Sequence, residues 1–232
     1  DGRYFLNLIE EIFSGVAEGA AALNSEALAK TVQKRMPLYD KAADGHYNLI
    51  SALHKSVRGS DPDAALYYLA RMLVAGEDPL FLARRLVRMA IEDVGLADPE
   101  ALHQALAAKE TFDFLGSPEG ELARAQATIY LATAPKSNAA YTAFKAAMGR
   151  AKETGSLAPP KIILNAPTKL MKEQEYGAGY RYDHDEPEAF SGQNYFPDQM
   201  GREKYYNPVE RGFERDVRKR LEYWAALRTK RG

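Results

Sequence analysis

Residues 61–100 read DPDAALYYLARMLVAGEDPLFLARRLVRMAIEDVGLADPE, and this stretch decides the fold. It holds three of four pairs in which a capping residue precedes proline; the four are Asp61-Pro62, Asp78-Pro79, Asp98-Pro99 and Ser117-Pro118. An N-cap oxygen accepts a hydrogen bond from a backbone N–H, and proline suits the first helical position because it has no N–H to lose. Gly76, Gly95 and Gly116 stand where left-handed C-caps are expected. The pattern predicts antiparallel helices joined by short loops.

Apolar residues between these signals recur with the period of a helix. Asp44 is a further cap candidate, Pro135 ends a helix, Ser137 begins another and Gly155 closes it. The predicted stripes are Tyr47, Ile50, His54 and Val57; Leu66, Leu69, Met72 and Leu73; Leu82, Leu86, Met89 and Ala90; Leu102, Leu106 and Phe112; Ala123, Ala127, Tyr130 and Leu131; and Tyr141, Phe144 and Met148. Residues 44–154 are therefore predicted to form a compact all-α domain.

The chain changes character in its last third. Residues 156–207 are rich in proline, Tyr and Phe, and only a short helix near Asn165-Ala166-Pro167 is expected there. Because disordered segments are poor in aromatic residues, we expect an ordered arm that packs its rings on the helical body or on another subunit. Residues 208–230 are predicted to form a final helix with Pro208 near its start. Its stripe is Val217, Leu221, Trp224 and Leu227.

The first 35 residues form a separate pattern of two short amphipathic helices. Their apolar residues are Phe5, Leu8, Ile9 and Ile12 in the first, and Leu28 and Val32 in the second. Two short helices cannot bury their apolar faces alone. Since the sequence begins with Asp and not with Met, we expect a piece of a longer protein, with the rest of this first domain outside it.

The composition narrows the classes of function. The 232 residues are 46% hydrophobic and 27% charged, as in globular proteins, and no apolar run reaches the roughly 18 residues that span a membrane. Cysteine is absent, which excludes disulfides, cysteine nucleophiles and thiolate metal sites and favours a reducing compartment. The net charge of -1 excludes a broadly basic nucleic-acid coat but allows a local basic face.

Signatures of catalysis are missing from the sequence. No Gly is followed by Lys, so there is no P-loop, and neither the nucleophile elbow G-x-S-x-G nor the zinc motif HExxH occurs. We therefore expect no independent enzyme and no resident metal.

Two histidines need an interpretation. The acidic neighbours of His184 are Asp183, Asp185, Glu186 and Glu188. This group allows a metal or proton-transfer cluster, but an acidic loop with a local hydrogen bond is the favoured interpretation, because no second histidine is near. His54 lies on an apolar stripe and is expected to be a satisfied core histidine.

Two groups of basic residues are candidates for contact with nucleic acid. Arg84, Arg85 and Arg88 share one side of a predicted helix. The region of the final helix carries eight basic residues against four acidic ones. The basic residues are Arg211, Arg215, Arg218, Lys219, Arg220, Arg228, Lys230 and Arg231.

Each basic group has two interpretations. One is contact with DNA phosphates, which depends on salt and not on sequence, and Arg218, Lys219 and Arg220 are its first candidates because they lie near a chain end. The other is a solvated helix face with ion pairs such as Glu214–Arg218, which the pattern taken alone favours.

Three stretches resemble a known family. They are His46–Met72, HYNLISALHKSVRGSDPDAALYYLARM; Asp183–Pro197, DHDEPEAFSGQNYFP; and Tyr205–Gly212, YYNPVERG. They closely resemble the C-terminal region of the replication-associated recombination protein A family, the RarA/MgsA-type AAA+ ATPases related to the Werner-helicase-interacting protein. The resemblance covers essentially residues 1–230.

The N-terminus adds to this resemblance. Asp1–Glu10, DGRYFLNLIE, is similar to the last stretch of the family's helical lid, where the pattern GDxRxxLNxLE occurs. The similarity implies that Arg3 corresponds to the sensor-2 arginine, which reaches the ATP phosphates from the lid. Leu6, Asn7 and Glu10 fit structural roles.

The resemblance implies a protein similar to clamp-loader ATPases, with a P-loop module, a helical lid and a helical C-terminal domain that forms a homotetramer. Such proteins act at stalled or gapped replication forks, bind DNA ends and single-strand-binding protein, and hydrolyse ATP with Mg in a DNA-stimulated manner. The implied location is cytoplasmic and nucleoid-associated, with no membrane partner. Because the P-loop module is absent from this chain, we expect it to hold no cofactor and to hydrolyse no ATP alone.

The expected organisation has three parts: a lid remnant at 1–35, a helical oligomerisation domain at 36–155 similar to a clamp-loader collar, and an arm plus C-terminal helix at 156–232 packing on that domain. The expected function is the oligomerisation and DNA-transaction domain of an AAA+ replication-repair ATPase. The alternatives are an all-α adaptor that binds a partner protein without nucleic acid, and a small-molecule enzyme built on the His184 cluster.

Overall fold

A computed structural model of the chain describes residues 43–231 and the isolated positions 9, 24 and 25. Residues 43–231 form eight α-helices and contain no strand, which confirms the predicted all-α fold. The helices are α1 Ala43–Arg58, α2 Pro62–Val74, α3 Pro79–Met89, α4 Glu100–Leu115, α5 Glu121–Thr133, α6 Ala139–Thr154, α7 Lys169–Glu173 and α8 Glu214–Arg231. None of these helices has an apolar stretch long enough to cross a membrane. The helix pair predicted before residue 36 lies outside this continuous range.

Most of the predicted helix signals are confirmed. Asp61, Asp78 and Asp98 each accept a hydrogen bond from a backbone N–H two or three residues further on, at 2.9 to 3.1 Å. Gly76 and Gly116 follow α2 and α4 with positive φ angles. The caps and the left-handed glycines therefore set the ends of these helices as the sequence predicts.

α5 begins later than predicted. Ser117-Pro118 lies in a turn, and the first helical residue is Glu121. Ser117 Oγ donates a hydrogen bond to the Glu121 carboxylate at 2.6 Å, so this serine contacts a side chain and caps no backbone N–H of α5. The prediction of Ser117 as an N-cap is wrong, because a capping residue before proline is also a common turn sequence.

The helices of the last third also begin later than predicted. α7 begins at Lys169, where the Thr168 side chain accepts a hydrogen bond from the Met171 N–H at 3.2 Å. α8 begins at Glu214 rather than near Pro208. A single turn of 3-10 helix at Lys161–Ile163 precedes α7, and the mostly irregular segment between α7 and α8 has two more such turns, at Asp183–Asp185 and Pro187–Ala189.

The described residues fall into two compact units, which are treated separately. The first holds residues 43–90 and 102–134, and the second holds residues 91–101 and 135–231. The second unit thus includes α6 together with the arm and α8. The domain boundaries predicted after residues 35 and 155 stay predictions.

In the first unit α1, α2, α3 and α5 pack on one another. Except for Leu53, their fully buried large apolar side chains come from the predicted stripes of these four helices, whereas Tyr47 of the predicted α1 stripe is exposed. The buried side chains are Leu53, Val57, Leu69, Met72, Leu82, Leu86, Met89 and Leu131. His54 is only half-buried, and its Nε2 lies 3.3 Å from Arg58 Nη2 on the next turn, so its prediction as a core histidine is wrong.

Two predicted stripes do not face the core. α4 buries the small residues Ala101, Ala105 and Ala108, whereas Leu106 is exposed. The prediction followed the larger apolar residues, of which Leu102 and Phe112 are half-buried, but the fully buried positions of this helix are alanines, which let it approach its surroundings closely. In α6 the whole predicted stripe is exposed. Its members are Tyr141, Phe144 and Met148.

Arg124 of α5 is a buried charge in the first unit. Its guanidinium carbon lies 3.3 Å from the centre of the Phe112 ring, on the negative face of the π-system. Burial lowers the pKa of Arg124, and its Nε and Nη1 have no hydrogen-bond partner. The predicted stripe of α5 contained apolar residues and Tyr130 but not Arg124, which is buried.

The second unit is organised around Glu214, the first residue of α8, which has no exposed surface. One carboxylate oxygen accepts hydrogen bonds from Ser137 Oγ at 2.7 Å and from the Val209 N–H at 2.9 Å. The other accepts from the Tyr206 hydroxyl at 2.8 Å. Burial and this hydrogen bond raise the pKa of Tyr206 above its ordinary value. Ser137 also accepts from the Ala139 N–H at 3.1 Å, which confirms it as the cap of α6.

The turn before Glu214 requires glycine. Gly212 has a φ of +50°, and a Cβ at this position would overlap the carbonyl oxygen of Ala97. The same carbonyl accepts a hydrogen bond from the Phe213 N–H at 2.8 Å. The backbone of 212–213 therefore lies directly against the 3-10 turn at Gly95–Ala97.

Replacing Glu214 with alanine is expected to lower the free energy of unfolding by about 3–5 kcal/mol, because Ser137, Tyr206 and Val209 each lose a buried acceptor. Urea denaturation followed by circular dichroism measures this loss. Glu222→Ala is the matched control, because Glu222 lies exposed on the same helix and its ion pair is worth about 0–1 kcal/mol. Equal stabilities of the two variants would contradict the central role of Glu214.

Candidate functional site

The first group of predicted site residues lies in the first unit. Arg84 and Arg88 are exposed on α3, and Arg85 is half-buried with its guanidinium 5.0 Å from the centre of the Phe81 ring. A phosphate would therefore meet Arg84 and Arg88 more readily than Arg85. Arg3 lies outside the described residues. The roles assigned to all four residues stay predictions.

Arg218 of the second group is held by two carboxylates. Its Nη1 lies 2.5 Å from Glu210 and its Nε lies 3.0 Å from Glu222. The pair predicted from the sequence, Glu214–Arg218, does not form, because Glu214 is buried at the start of the helix. The i,i+4 pairing is therefore present, but it runs towards the C-terminus of α8.

The other two members of this group are also engaged. Lys219 forms an ion pair with Asp216 at 3.3 Å, and Arg220 lies over the Phe213 ring at 5.3 Å. Exposed ion pairs are weak, at about 0–1 kcal/mol, so a phosphate can compete for these side chains. The arrangement fits a solvated helix face and leaves phosphate contact as a prediction.

The acidic residues around His184 do not form a ligand set. Hydrogen bonds from Ser191 and Tyr195 engage the Asp183 carboxylate and lower its pKa. His184 is exposed and packs its ring 5.1 Å from that of Tyr182. Within residues 43–231, no three His, Asp or Glu side chains converge as metal ligands.

The same loop instead holds the end of α8. Arg231 donates hydrogen bonds to the carbonyl oxygens of Pro187, at 2.9 Å, and of Phe190, and it forms ion pairs with Glu188 and Glu186. The buried Glu214 fixes one end of the helix and Arg231 fixes the other. The arm is thus fastened along the full length of α8.

Between the arm and α8 the second unit forms a groove with a cavity of about 760 Å³. Five aromatic side chains line it, and the Phe196 and Tyr205 rings lie 6.2 Å apart. The five are Phe190, Phe196, Tyr205, Tyr206 and Trp224. Trp224 keeps 40% of its surface exposed. The groove therefore offers flat apolar faces to a ligand.

Four cations and two carboxylates also line the groove. Both carboxylates already have partners: Glu203 accepts from Arg150 at 2.7 Å and from the Tyr205 hydroxyl, and Glu222 pairs with Arg218. Arg218 is the one lining cation that they neutralise. The remaining cations are Arg202, Lys204 and Arg228.

Arg228 is the most unusual of these cations. It is half-buried, its guanidinium lies 4.9 Å from the centre of the Phe190 ring, and its Nε is buried without a hydrogen-bond partner. Burial, and then the positive charge of Arg202, lower the pKa of Arg228. The two cations line the same groove, and an anion bound near both would relieve their repulsion.

The groove was not predicted from the sequence. Trp224 was predicted in the apolar stripe of the final helix and Arg228 among its basic residues, and no role was predicted for Arg202. The signal present in the sequence is the closeness of two basic and two aromatic residues over residues 202–206, REKYY. It identifies the groove only once the fold places α8 beside it.

Comparison with known families agrees with this helical architecture. The family described as MgsA AAA+ ATPase C terminal matches residues 59–225, and the family described as AAA C-terminal domain matches residues 1–58. The class of the chain is therefore the C-terminal region of an AAA+ ATPase.

Individual relatives narrow this class. The chain is 50% identical over 230 residues to replication-associated recombination protein A of Coxiella burnetii, covering 98% of this chain and 52% of that protein. The chain is 49% identical over 230 residues to the Escherichia coli K12 protein of the same name, which covers 97% of this chain and 51% of that protein. It is 42% identical over 189 residues to ATPase WRNIP1 of Dictyostelium discoideum, which covers 79% of this chain and 21% of that protein. The chain spans about half the length of these bacterial relatives, and it belongs to the replication-associated recombination protein A (MgsA) family.

If Arg218 contacts phosphate, releasing it from its two carboxylates should strengthen DNA binding. The double variant Glu210→Gln/Glu222→Gln is expected to steepen the slope of log K against log salt by about 0.7–0.9, the value of one added phosphate contact. Fluorescence anisotropy of labelled DNA titrated over salt measures the slope. Glu173→Gln/Asp198→Asn changes the charge equally at exposed positions elsewhere and is the control. The same slope for both variants would contradict the contact.

Proposed function

We propose that this chain is the oligomerisation and DNA-transaction part of an AAA+ ATPase that acts in DNA replication, recombination and repair at stalled forks. The match of residues 59–225 to the MgsA C-terminal family carries this proposal. The whole protein would bind ATP and Mg through a P-loop module outside this chain, with Arg3 as the lid arginine. Single-strand-binding protein is the proposed partner, and the cytoplasmic nucleoid the proposed location.

The exposed face of α6 supports a homotetramer as the assembled form. Tyr141, Phe144 and Met148 recur at helical spacing, and Phe144 and Met148 are 68% and 47% exposed. Such a stripe of large apolar side chains is rare on an isolated surface, and aromatic residues and Met are enriched in subunit contacts. This face is therefore the proposed subunit contact of the second unit.

Light scattering at micromolar concentration is expected to return about four chain masses. Phe144→Glu should lower the assembled mass, because it places a charge in the proposed apolar contact. Lys145→Glu is the control, since Lys145 is the exposed next residue of α6. Circular dichroism verifies that both variants fold. A monomer at all concentrations, or equal masses for the two variants, would contradict the proposed contact.

For the DNA part of the proposal, the triple variant Arg218→Ala/Lys219→Ala/Arg220→Ala is the test. Each lost phosphate contact should reduce the salt slope of binding by roughly 0.7 to 0.9, equally for different DNA sequences. Single-stranded and fork DNA are titrated over salt. The control is Lys152→Ala/Lys161→Ala/Lys172→Ala, which removes the same charge at exposed positions. If the DNA affinity and the salt slope of the triple variant match those of the parent while the tetramer persists, this face of α8 is only solvated. The result would then favour the alternative function, an adaptor that binds a partner protein without nucleic acid.

A further inference from the structure

We propose that the groove between the arm and α8 binds single-stranded nucleic acid, with bases stacked on Trp224 and the neighbouring rings and phosphates held between Arg202 and Arg228. This inference rests on the DNA part of the proposed function and assigns it a site. The site shares Arg218 with the basic cluster on α8 and shares no residue with the cluster on α3, and all of its residues belong to the second unit.

The positive side chains of the groove that have no acidic partner favour the binding of an anion. Arg202 and Lys204 are exposed and have no carboxylate within ion-pair distance among residues 43–231. Arg228 has a buried Nε without a partner and faces the positive charge of Arg202. Since the two lining carboxylates are occupied by Arg150, Tyr205 and Arg218, the field left in the groove is positive. Guanidinium groups bind phosphate oxygens in bidentate geometry.

The aromatic side chains that line the groove favour contact with flat, apolar groups of a ligand. Trp224 has 40% of its surface exposed within a lining that includes Phe196 and Tyr205. Proteins that bind single strands combine such aromatic platforms with a positive groove that follows the backbone. Every base has a π-face, so this mode of binding tolerates any sequence.

The dimensions favour a single strand over a duplex. A cavity of about 760 Å³ is of the size that holds a small ligand, and it is far smaller than a double helix. In a duplex the base faces are stacked inside the helix and unavailable to Trp224. The rings of the groove would then remain without partners, and only outer phosphates would reach the arginines.

An acidic peptide is the competing occupant, since its carboxylates would also satisfy Arg202 and Arg228. It leaves the aromatic lining without a matching partner unless it also carries rings at the right spacing. Nucleotides supply a charge and a ring in every repeat unit. The presence of both cations and rings in the lining of the groove therefore favours a strand.

The chain contains a single tryptophan, Trp224, and this makes the test direct. The 232-residue chain is titrated with oligodeoxythymidylate of about ten nucleotides while tryptophan emission is recorded. Stacking of a base on Trp224 is expected to quench the emission to saturation. A blunt duplex of equal length and a polyglutamate of equal charge are expected to quench little. Equal or stronger quenching by the duplex or by polyglutamate would overturn the proposal.

Variants separate stacking from charge, with binding of a labelled strand followed by anisotropy. Trp224→Ala is expected to weaken binding roughly 5- to 100-fold, and Trp224→Phe much less. Arg202→Ala should reduce the salt slope by about 0.7, whereas Arg202→Lys should keep it. Lys172→Ala removes one exposed charge on α7, outside the groove, and should behave as the parent. Because Arg202 and Trp224 are exposed, these variants are expected to fold, which circular dichroism verifies.

The outcomes distinguish this proposal from the proposed function. If the parent chain binds the strand but Trp224 is not quenched and Arg202→Ala changes nothing, the groove is not the site and DNA binding stands. If the parent chain binds neither strand nor fork DNA, the DNA part of the proposed function fails together with the groove. The tetramer is measured separately by mass and is affected by neither result.

Discussion

The carboxylate of Glu214 is buried without access to water, and the second unit depends on how it is satisfied. A buried carboxylate is costly unless donors surround it, and here three donors from two separate segments supply the hydrogen bonds. Ser137 precedes α6, Tyr206 and Val209 belong to the end of the arm, and Glu214 begins α8. One side chain therefore ties the entries of two helices to the arm. Gly212 completes this arrangement, because only glycine lets the backbone lie against Ala97.

This anchoring explains where the groove lies and why it is charged. Glu214 holds one end of α8 and Arg231 the other, and Trp224 and Arg228 between them line the groove beside the arm. The arm offers its own aromatic rings, and it uses Glu203 to bind Arg150 rather than a groove cation. The result is a groove with apolar walls and with positive charge that no lining carboxylate neutralises. The packing of the arm on α8 explains the apolar walls, and a bound ligand is the simplest explanation of the positive charge.

Local signals made most of the fold predictable. Asp61, Asp78 and Asp98 cap helices through neighbours in sequence, so their role is visible without the fold. One error was local, because Ser117 has a sequence that both caps and turns share. Others arose where a distant segment decides the outcome: Glu214 has the sequence of a surface ion-pair residue but is buried by donors up to 77 positions away. The groove was missed for the same reason, because its rings and cations come from two segments that only the tertiary fold brings together.

The way the chain passes between the two units has a consequence for any attempt to divide it. Residues 91–101 belong to the second unit although the residues on both sides of them belong to the first. A fragment that ends after residue 155, at the boundary that the sequence suggests, would remove Phe213 and Glu214. The carbonyl of Ala97 and the hydroxyl of Ser137 would then lose their partners inside the fragment that remains. Neither unit is a contiguous stretch of polypeptide. A truncated or recombined gene must therefore encode both units for either one to be complete.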